Sequence, residues 1–298
     1  MTSLTAPTWA AVVVNYEAGD CLIDCVTTLL ADASAAPVEI VVVDNASTDD
    51  SVAKLRLARP EIRIIETGEN LGYSAAANAG IAATSAAVVA VFNADLQINP
   101  GTGAALLARF NNEPDLGAAG PAVFSTAGTH FPSARNVPRL RDTVGHGTLG
   151  AVMPKNRFSR SYKELDADPK RSRDVDWVSG AAIWLRRSAL NQVGGWDDGY
   201  FMYVEDVDLC WRLGKAGWRV AYEPEGSVVH IGAVSTNRHP YRMIIAHHRS
   251  LGRFASKRWH GWKRILLLPA AVYLALRALV IMGARTLRFR PKPKPTSR

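Results

Sequence analysis

The stretch from residue 194 to residue 212 places five carboxylates among five aromatic side chains. Carboxylates are costly to hold against aromatic surface unless they are paired, hydrogen-bonded or bound to a metal. Crowding acids beside rings also raises a carboxyl pKa toward that of a general base. We therefore expect a catalytic base here, although a solvated, acidic start of a helix is the plainer interpretation. The acids are Asp197, Asp198, Glu205, Asp206 and Asp208, and the rings belong to Trp196, Tyr200, Phe201, Tyr203 and Trp211.

The elements that would position such a base begin with an alternation of strand and helix patterns in the first hundred residues. Continuous apolar, β-branched runs are typical of strands buried on both faces. Because a helix pattern separates each pair of runs, the segment predicts a parallel sheet with right-handed crossovers. The predicted strands are Ala10–Val14, Val38–Val43, Ile62–Glu66 and Val88–Phe92, and the predicted helices cover residues 19–31, 50–58 and 73–84.

Polar residues follow each of these four predicted strands. Parallel sheets bind ligands at the carboxyl ends of their strands, so four such coincidences in succession indicate one site. A turn or helix cap would explain any one of them, and it is the better interpretation of Asn45 and Ser47 taken alone. The residues are Asn15, Tyr16 and Glu17 after the first strand, Asp44 and Asn45 after the second, Asn70, Leu71 and Gly72 after the third, and Asn93 and Asp95 after the fourth.

A nucleoside diphosphate would make use of these groups. Asp44 can accept hydrogen bonds from a base or ribose, and Asp95 is placed for a hard divalent cation that bridges phosphates. His230, near a later predicted strand end, could add a nitrogen ligand, although a lone histidine is more often satisfied by hydrogen bonds alone. The chain has neither a G-x-G-x-x-G motif nor a Walker lysine loop, which argues against dinucleotide oxidoreductases and P-loop enzymes.

Charge is distributed very unevenly along the 298 residues. All 27 Asp and Glu lie within residues 1–225, whereas residues 226–298 carry 15 Lys and Arg and no acid. A basic tail on an acidic body predicts a polyanionic partner. We expect an anionic membrane surface rather than nucleic acid, because no nucleic-acid-binding motif accompanies the charge. Three cysteines without a C-x-x-C pair, and no recognisable signal peptide, predict a location on the cytoplasmic side.

The tail also contains an apolar segment from residue 265 to residue 284, which Arg277 interrupts. Pro269, Arg277 and the positive flanks favour a helix that lies in the membrane interface over one that spans the bilayer. A core helix followed by a solvated basic tail is the alternative. Residues 125–175 predict a long loop or lid over the site. Strand patterns return at 177–185, at Trp218–Tyr222 and at Val228–His230.

The motifs taken together resemble the inverting family 2 glycosyltransferases of the GT-A fold, and in particular bacterial rhamnosyltransferases. Within that branch, the resemblance is strongest to actinobacterial enzymes that transfer rhamnose from dTDP-rhamnose to GlcNAc-diphospho-decaprenol, the linker between galactan and peptidoglycan. It extends over roughly residues 10–235. The matching segments are 13–17 (VVNYE), 43–47 (VDNAS), 70–72 (NLG), 78–80 (NAG), 93–95 (NAD), 177–181 (WVSGA) and 201–209 (FMYVEDVDL).

The resemblance implies an α/β GT-A fold, a Rossmann-like arrangement with a mixed central sheet. It implies a transferase domain over 1–238, with a nucleotide-sugar half over about 1–124 and an acceptor half over 125–238. The basic and apolar pattern of the tail predicts membrane-associating helices over 239–298. Asn93 stands where the family often has Asp. The implied roles are the base for Asp206 with Glu205 beside it, donor binding for Asn15, Glu17, Asp44, Asn70, Gly72, Asn78 and Asn93, acceptor binding for Trp177, Ser179, Gly180 and Asp198, and Mn²⁺ or Mg²⁺ binding for Asp95 and His230.

The implied partners are a nucleoside-diphospho-sugar donor, a lipid-diphosphate-linked acceptor whose diphosphate Arg249 and Arg253 could hold, and the cytoplasmic face of the membrane. Other family 2 activities stay open, including galactofuranosyl, mannosyl or other deoxyhexose transfer to an O-antigen or exopolysaccharide. A non-catalytic, sugar-nucleotide-binding scaffold is the alternative from another class. A nucleotidyltransferase is disfavoured, because the first loop lacks the basic residue that it would need.

Overall fold

The structure, a computed structural model, describes residues 9–32, 38–135, 153, 156–158, 168–232 and 240–288. The seven elements predicted in the first hundred residues are all confirmed, with bounds that differ from the predicted ones by one or two residues. They are β1 (Trp9–Asn15), α1 (Cys21–Asp32), β2 (Val38–Asp44), α2 (Ser51–Ala58), β3 (Arg63–Glu66), α3 (Tyr73–Ala82) and β4 (Val88–Asn93).

After β4 the chain continues through elements that the sequence patterns had only partly indicated. A helix and a ten-residue strand directly after β5 were not predicted. The elements are β5 (Leu96–Ile98), α4 (Thr102–Asn112), β6 (Leu116–Ser125), β7 (His130–Phe131), β8 (Ala134–Arg135), β9 (Arg173–Asp174), β10 (Trp177–Val178), β11 (Ala182–Arg186), α5 (Arg187–Gln192), α6 (Glu205–Lys215) and β12 (Arg219–His230).

Two of the sequence predictions for this half need comment. The short strands expected at Trp218–Tyr222 and Val228–His230 are one strand, β12, in which the pairing with β6 shifts register between Glu223 and Ser227. The irregularity interrupts the apolar pattern without ending the strand, which is why the sequence suggested two. Most of the loop or lid expected over residues 125–175 lies outside the described residues, apart from the short strands β7, β8 and β9.

The central sheet has the strand order β3-β2-β1-β4-β11-β6-β12-β5, with β7 and β9 attached at β6 and β12. Strands β3, β2, β1 and β4 are parallel, as the β-α pattern predicted. Strand β11 runs antiparallel to β4 and β6, so the sheet as a whole is mixed. Strands β10 and β8 form a separate two-stranded sheet beside it.

Both faces of the sheet are covered by apolar clusters. On one face, the indole of Trp184 stacks 5.9 Å from that of Trp9 and lies edge-on to Phe92 at 4.9 Å. On the other face α3 approaches closely at Gly80, where a Cβ atom would lie 2.2 Å from a methyl group of Val12. Because β1 is buried on both faces, its residues form an uninterrupted apolar run instead of an alternating one.

The C-terminal segment consists of α7 (Pro240–Arg258), a 3₁₀ turn (Gly261–Leu266) and α8 (Leu267–Arg288). Within the described residues, one stretch, Gly261–Thr286, is long and apolar enough to cross a membrane by length and composition. Only 6% of its most apolar window is buried against the protein. This exposure excludes the core-helix interpretation, because a core helix would bury its apolar side chains.

Candidate active site

A cleft of about 240 Å³ opens at the carboxyl ends of β1, β2 and β4. The location follows from the topology, because the parallel strands all end at this edge of the sheet. Five of the residues predicted to bind donor or metal line the cleft, namely Asn70, Gly72, Asn93, Asp95 and His230.

Asp95 and His230 face each other in this cleft. Antiparallel pairing of β5 with the end of β12 places Leu96 opposite His230 and so brings the two side chains together. The Oδ1 atom of Asp95 lies 3.1 Å from Nε2 of His230, and both side chains are partly exposed to the cleft. The structure therefore unites a carboxylate and an imidazole that are 135 residues apart in sequence.

These donors fit a divalent cation that also binds substrate phosphates. No group of three or more His, Cys, Asp or Glu side chains converges anywhere in the described part of the chain. A closed protein cage is thus not available there, whereas Mg²⁺ and Mn²⁺ in phosphate-binding sites commonly take one or two carboxylates and complete their shell with phosphate and water. Asn93, which also lines the cleft, can supply a neutral oxygen.

Three of the predicted donor-binding residues lie behind the cleft, where they hold the first two strand ends together. Asn15 donates to Oδ1 of Asp44 at 2.8 Å, and Oδ2 of Asp44 accepts from the backbone N–H of Ser47. Glu17 accepts from both the backbone and the hydroxyl of Thr48 at 2.7 Å. All three predicted residues are buried and do not line the cleft, so donor binding by Asn15, Glu17 and Asp44 stays a prediction.

The third strand end is tied to the second by Asn45. Its Oδ1 accepts from the backbone N–H of Leu71 at 2.9 Å, and its amide donates to Asn70 and to the carbonyl of Gly72. Gly72 has φ of +88°, and a Cβ atom there would lie 2.6 Å from the carbonyl oxygen of Phe201. Only glycine fits this position, where the loop after β3 touches the acidic stretch.

Tyr73 connects the cleft with the acidic stretch. Its ring lines the cleft, its backbone N–H donates to Phe201, and its hydroxyl donates to the carbonyl of Gly180 at 2.6 Å. Burial, followed by the charges of Glu205, Asp206 and Asp95, raises the pKa of Tyr73 well above its ordinary value. One ring therefore lies within the electrostatic reach of both the expected base and the expected metal ligand.

Asp206 is the second residue of helix α6 and has a fixed orientation. Its Oδ2 accepts from the backbone N–H of Gly180 at 2.9 Å, and its Oδ1 accepts from the N–H of Val207 at 2.8 Å. The side chain is half-buried. Burial raises the pKa of Asp206, although these two N–H groups act in the opposite direction by stabilising the ionised form. A carboxylate that is held in place and has a raised pKa is suited to accept a proton.

Glu205, next to the expected base, is buried. Burial and the neighbouring charge of Asp206 raise the pKa of Glu205 well above the ordinary value. Its Oε2 has no hydrogen-bond partner among the residues that the structure describes. A buried carboxyl beside a second carboxyl keeps its proton more readily, because two like charges at short distance repel each other.

Backbone strain is concentrated around this site. Four residues other than glycine have positive φ among those described: Glu17, Ala46, Tyr203 and Val204. The first two follow β1 and β2, and the last two directly precede Glu205. A left-handed β-branched residue such as Val204 is an outlier, and strained residues of this kind cluster at functional sites.

The predicted acceptor-binding residues lie outside the cleft. Trp177 is buried under the guanidinium of Arg135, which lies 5.2 Å from its ring, and Ser179 is half-buried next to Gly180. Asp198 is exposed and accepts a hydrogen bond from Asn78 at 2.6 Å. None of these residues lines the cleft, and their contact with an acceptor stays a prediction.

Asn78 was expected to bind the donor, and the structure places it against the acidic stretch instead. Its amide donates to the carbonyl of Trp196 at 2.9 Å, and its Oδ1 accepts from the N–H of the same residue at 3.0 Å. These two bonds fix the start of the stretch to helix α3. Donor binding by Asn78 therefore remains a prediction without a supporting contact.

Helix α7 holds the acidic stretch through charged side chains. Lys257 lies 2.8 Å from Asp197 and 2.6 Å from Asp208, which is fully buried and also accepts from Arg212. Arg253 lies 2.7 Å from Asp197. Burial raises the pKa of Asp197, but Arg253 and Lys257 outweigh that effect and hold it well below the ordinary value.

These ion pairs bear on the residues expected to hold an acceptor diphosphate. Arg253 is already bonded to Asp197, which leaves it less available to a second anion. Arg249 is exposed on the same helix, and its role stays a prediction.

The sequence patterns did not indicate several residues of the cleft, among them Tyr73, Arg242 and Met243. Tyr16, Phe201 and Tyr203 line it as well, although the sequence had indicated only their segments. Arg242 lies on α7 with its guanidinium 4.6 Å from the ring of Phe201. No local pattern could have indicated it, because α7 reaches the cleft through tertiary contacts.

Comparison with known protein families identifies the family of the chain. The model of glycosyl transferase family 2 matches residues 10–194, more than half of the chain, and that of glycosyl transferase family group 2 matches residues 158–285. The chain belongs to glycosyl transferase family 2. This enzyme is therefore a glycosyltransferase, as the resemblance of its motifs implied.

The transferase has a full-length relative in the N-acetylglucosaminyl-diphospho-decaprenol L-rhamnosyltransferase of Mycobacterium tuberculosis (strain ATCC 25618 / H37Rv). The two are 39% identical over 270 residues, which cover 87% of this chain and 88% of the relative. The rhamnosyltransferase WbbL of Escherichia coli (strain K12) is also 39% identical, over 132 residues that cover 44% of this chain and 42% of that protein.

Solved structures of other glycosyltransferases share the fold of this chain. The mannosyltransferase PcManGT from Pyrobaculum calidifontis, in complex with GDP-Man and Mn²⁺, has a TM-score of 0.56 and 17% identity, covering 97% of this chain and 78% of that one. GalNAc-T7 with UDP, GalNAc and Mn²⁺ has a TM-score of 0.56 and 14% identity, covering 77% of this chain and 44% of that one. The GT-A fold expected for the transferase is confirmed.

Proposed function

We propose that the enzyme transfers L-rhamnose from dTDP-rhamnose to a polyprenyl-diphospho-GlcNAc acceptor at the cytoplasmic face of the membrane, with inversion at the anomeric carbon. The main support is the full-length similarity to a relative whose name states an acceptor of this kind and an L-rhamnosyl product. Two rhamnosyltransferases among the relatives, one matched only in part, favour rhamnose over the galactofuranosyl and mannosyl alternatives.

The observation that carries the chemistry is the arrangement around Tyr73. The tyrosine lines the cleft that contains Asp95 and His230, and its hydroxyl bonds to Gly180, whose own N–H bonds to Asp206. A nucleoside diphosphate in the cleft would therefore lie close to this tyrosine, which is connected to the base through Gly180. Inversion requires that the acceptor hydroxyl attack from the side opposite the departing diphosphate.

Asp206 then accepts the proton of the attacking hydroxyl. The acceptor oxygen forms a bond to the anomeric carbon while the bond from that carbon to the diphosphate oxygen breaks, and the nucleoside diphosphate leaves with the electron pair. Because Gly180 and Val207 bond to different oxygens of Asp206, the carboxylate cannot rotate away from the hydroxyl. A general base of this kind contributes about 10²- to 10⁴-fold to the rate.

Asp95 and His230, together with Asn93, would hold Mn²⁺ or Mg²⁺ against the diphosphate of the donor. A bound divalent cation supplies charge stabilisation for the departing diphosphate. The chain's own contribution is to keep the two ligands at the mouth of the cleft, where β5 pairs with β12. Arg242 adds a positive charge to the same cleft from α7.

The test is to incubate the purified protein and Mn²⁺ with GlcNAc-diphospho-polyprenol and, in parallel, dTDP-rhamnose, UDP-galactose or GDP-mannose. Mass spectrometry of the lipid should show the gain of one deoxyhexose with dTDP-rhamnose alone. A product with another donor would reassign the sugar. Absence of product from every donor, despite tight nucleotide binding, would favour the non-catalytic scaffold.

A matched pair of variants guards this assay against contaminating activity. Asp206→Asn removes the base and should lower product formation by about a thousandfold, whereas Asp50→Asn changes the exposed carboxylate directly before helix α2 and should leave the product yield unchanged. Equal yields from both variants would show that the activity does not come from this site.

A further inference from the structure

Helix α8 exposes its apolar side chains and turns polar side chains toward the protein. A helix on the surface of a soluble protein does the opposite. Every exposed residue from 265 to 284 is apolar, while the polar side chains of Tyr273 and Arg277 are turned toward the protein. The large exposed members are Ile265, Leu268, Val272, Leu276, Leu279 and Val280, which are between 52% and 77% exposed. We call these six residues the apolar stripe of α8, although Ile265 lies in the 3₁₀ turn directly before the helix. So large a contiguous apolar surface marks an interaction site.

The opposite face of α8 is attached to α7 by polar contacts. Arg277 donates to Nε2 of His248 at 2.9 Å, and Nδ1 of His248 in turn bonds to the carbonyl of Ile244 at 2.7 Å. Nearer the end of α8, Thr286 and Tyr241 share a hydrogen bond between their hydroxyls at 2.9 Å. The two helices therefore run antiparallel to each other, with contacts both in the middle of α8 and near its end.

Helix α7 is itself fixed to the catalytic part of the enzyme. Arg253 and Lys257 bond to Asp197, and the hydroxyl of Ser250 donates to the carbonyl of Met202 at 2.9 Å. Arg249 on the same helix is exposed. If α8 crossed the bilayer in this arrangement, α7 would have to enter the hydrocarbon with these charged residues, which costs several kcal/mol for each charge.

We propose that α8 lies flat in one leaflet of an anionic bilayer, with its apolar stripe among the acyl chains and its polar face covered by α7. Two observations favour an anionic bilayer over a second protein surface as the partner of the apolar stripe. The stripe is apolar throughout, and residues 226–298 contain 15 basic residues and no acid. Lys263 and Arg264, at the start of the stripe, lie where they can reach anionic headgroups.

The position of α8 in the membrane also determines how the cleft is oriented relative to the bilayer. This inference rests on the proposed function. Tyr241, whose hydroxyl bonds to α8, is followed directly by Arg242 and Met243, which line the cleft. The same helix thus carries the contact with the anchor and a wall of the active site. An acceptor whose diphosphate lies at the headgroup level would then meet the cleft without leaving the membrane.

The binding test uses the full chain with vesicles of phosphatidylcholine and about one third phosphatidylglycerol. Leu276→Asp and Leu268→Asp each place a charge in the stripe, and each should lower vesicle affinity by about tenfold or more. Leu57→Asp is the matched control, because Leu57 is 86% exposed on α2, away from the stripe. Equal effects of all three changes, or none, would overturn the proposal.

A labelling test separates a flat helix from a spanning one. Thr286→Cys and Ser256→Cys are introduced separately, with Cys21 replaced by Ser because the other two native cysteines are buried. When the protein is added to preformed vesicles, a membrane-impermeant maleimide should label both new thiols without detergent. Labelling of Thr286→Cys only after detergent is added would show that α8 crosses the bilayer.

Two further outcomes are distinguishable. A dimer in solution that Leu276→Asp dissociates, without vesicle binding by the parent protein, would assign the stripe to a second copy of the chain and overturn the proposal. If the enzyme makes the rhamnosylated lipid, Leu276→Asp should lower the rate with vesicle-embedded acceptor and leave that with a short, water-soluble acceptor unchanged. Vesicle binding and labelling do not require turnover, so they test the anchor even if the proposed function fails.

Discussion

The two sides of the active site are held together by different kinds of interaction. On the strand-end side, residues 9–98, buried amide and hydroxyl groups join one loop to the next, as between Asn15 and Asp44. On the base side, residues 194–215, buried carboxylates are bonded to cations of α6 and α7, as Asp208 is to Arg212 and Lys257. The strand-end side depends on segments that are close in sequence, whereas the base side depends on a helix that begins only at Pro240.

Because their interactions differ, the two sides should respond differently to the loss of a bonding partner. Polar networks among neighbouring strand ends form as soon as the sheet forms, because the strands bring the loops together. Buried carboxylates are stable only while their cations are in place, and removing one partner leaves an uncompensated charge. The base side should therefore be the more sensitive to changes in α7, including those that alter its contact with α8.

The largest expected effect is that of Asp206→Asn, a variant that tests whether proton transfer on the base side is independent of nucleotide binding on the strand-end side. Asp206→Asn should lower kcat by about a thousandfold, because it removes the proton acceptor and keeps the shape of the side chain. Nucleotide affinity, measured by titration calorimetry, should change little. A variant with substantial turnover would show that another group takes the proton, and a large loss of nucleotide affinity would show that the two sides do not act separately.

Breaking a cation contact on the base side is expected to have the next largest effect. Lys257→Met leaves the fully buried Asp208 with Arg212 as its remaining cation, and should lower the free energy of unfolding by about 2–3 kcal/mol. Urea denaturation measures the change. The control Lys54→Met removes exposed ion pairs at the strand-end side and should leave stability unchanged. Similar stability of both variants would contradict the proposed difference between the two sides.

A substitution on the strand-end side should affect the metal and leave the base intact. Asp95→Ala removes the carboxylate that faces His230, and should weaken metal-dependent binding of the nucleotide by about tenfold or more. Titration with Mn²⁺ at fixed nucleotide concentration measures the effect. An unchanged Mn²⁺ titration would exclude Asp95 as a ligand, whereas a loss of nucleotide binding also without metal would indicate a role in folding.

The smallest expected effect concerns pH. The pKa of Glu205 is raised in the folded enzyme, so this group favours folding below its ordinary pKa and the benefit is lost as pH rises through the raised value. Glutamine cannot ionise, so the Glu205→Gln variant does not show this decrease in stability as the pH rises. Its stability relative to the parent should therefore increase by about 1 kcal/mol or more between about pH 5 and pH 8, as measured by urea denaturation. A constant difference across this range would show that Glu205 is not perturbed.

The strand-end side was almost entirely predictable from the sequence. Its strands are buried on both faces and read as continuous apolar runs, and the polar residues that follow them mark the edge of the sheet. What the patterns could not give is which atoms face the ligand. Asp44 and Glu17 were expected at the donor, yet their oxygens are bonded to neighbouring loops.

On the base side, the sequence indicated the expected chemistry and not the contacts. Acids beside aromatics predicted a base in this stretch, and the family resemblance implied Asp206. Nothing in the local sequence indicated that Tyr73 would reach Gly180, or that Lys257 would bind Asp197 and Asp208. These contacts join residues between 49 and 107 positions apart, and such pairings depend on the whole fold. The prediction that the apolar tail would be a helix is confirmed, while its polar face against α7 became apparent only from the tertiary contacts.

The left-handed backbone at Tyr203 and Val204 affects how this enzyme could be improved in the laboratory. Strain of this kind costs about 1–3 kcal/mol for each residue, and glycine at either position would relieve it. The same change would loosen the turn that leads directly into Glu205 and Asp206. Directed evolution for thermal stability alone would therefore favour glycine at these positions. The selected enzymes would be more stable and less active.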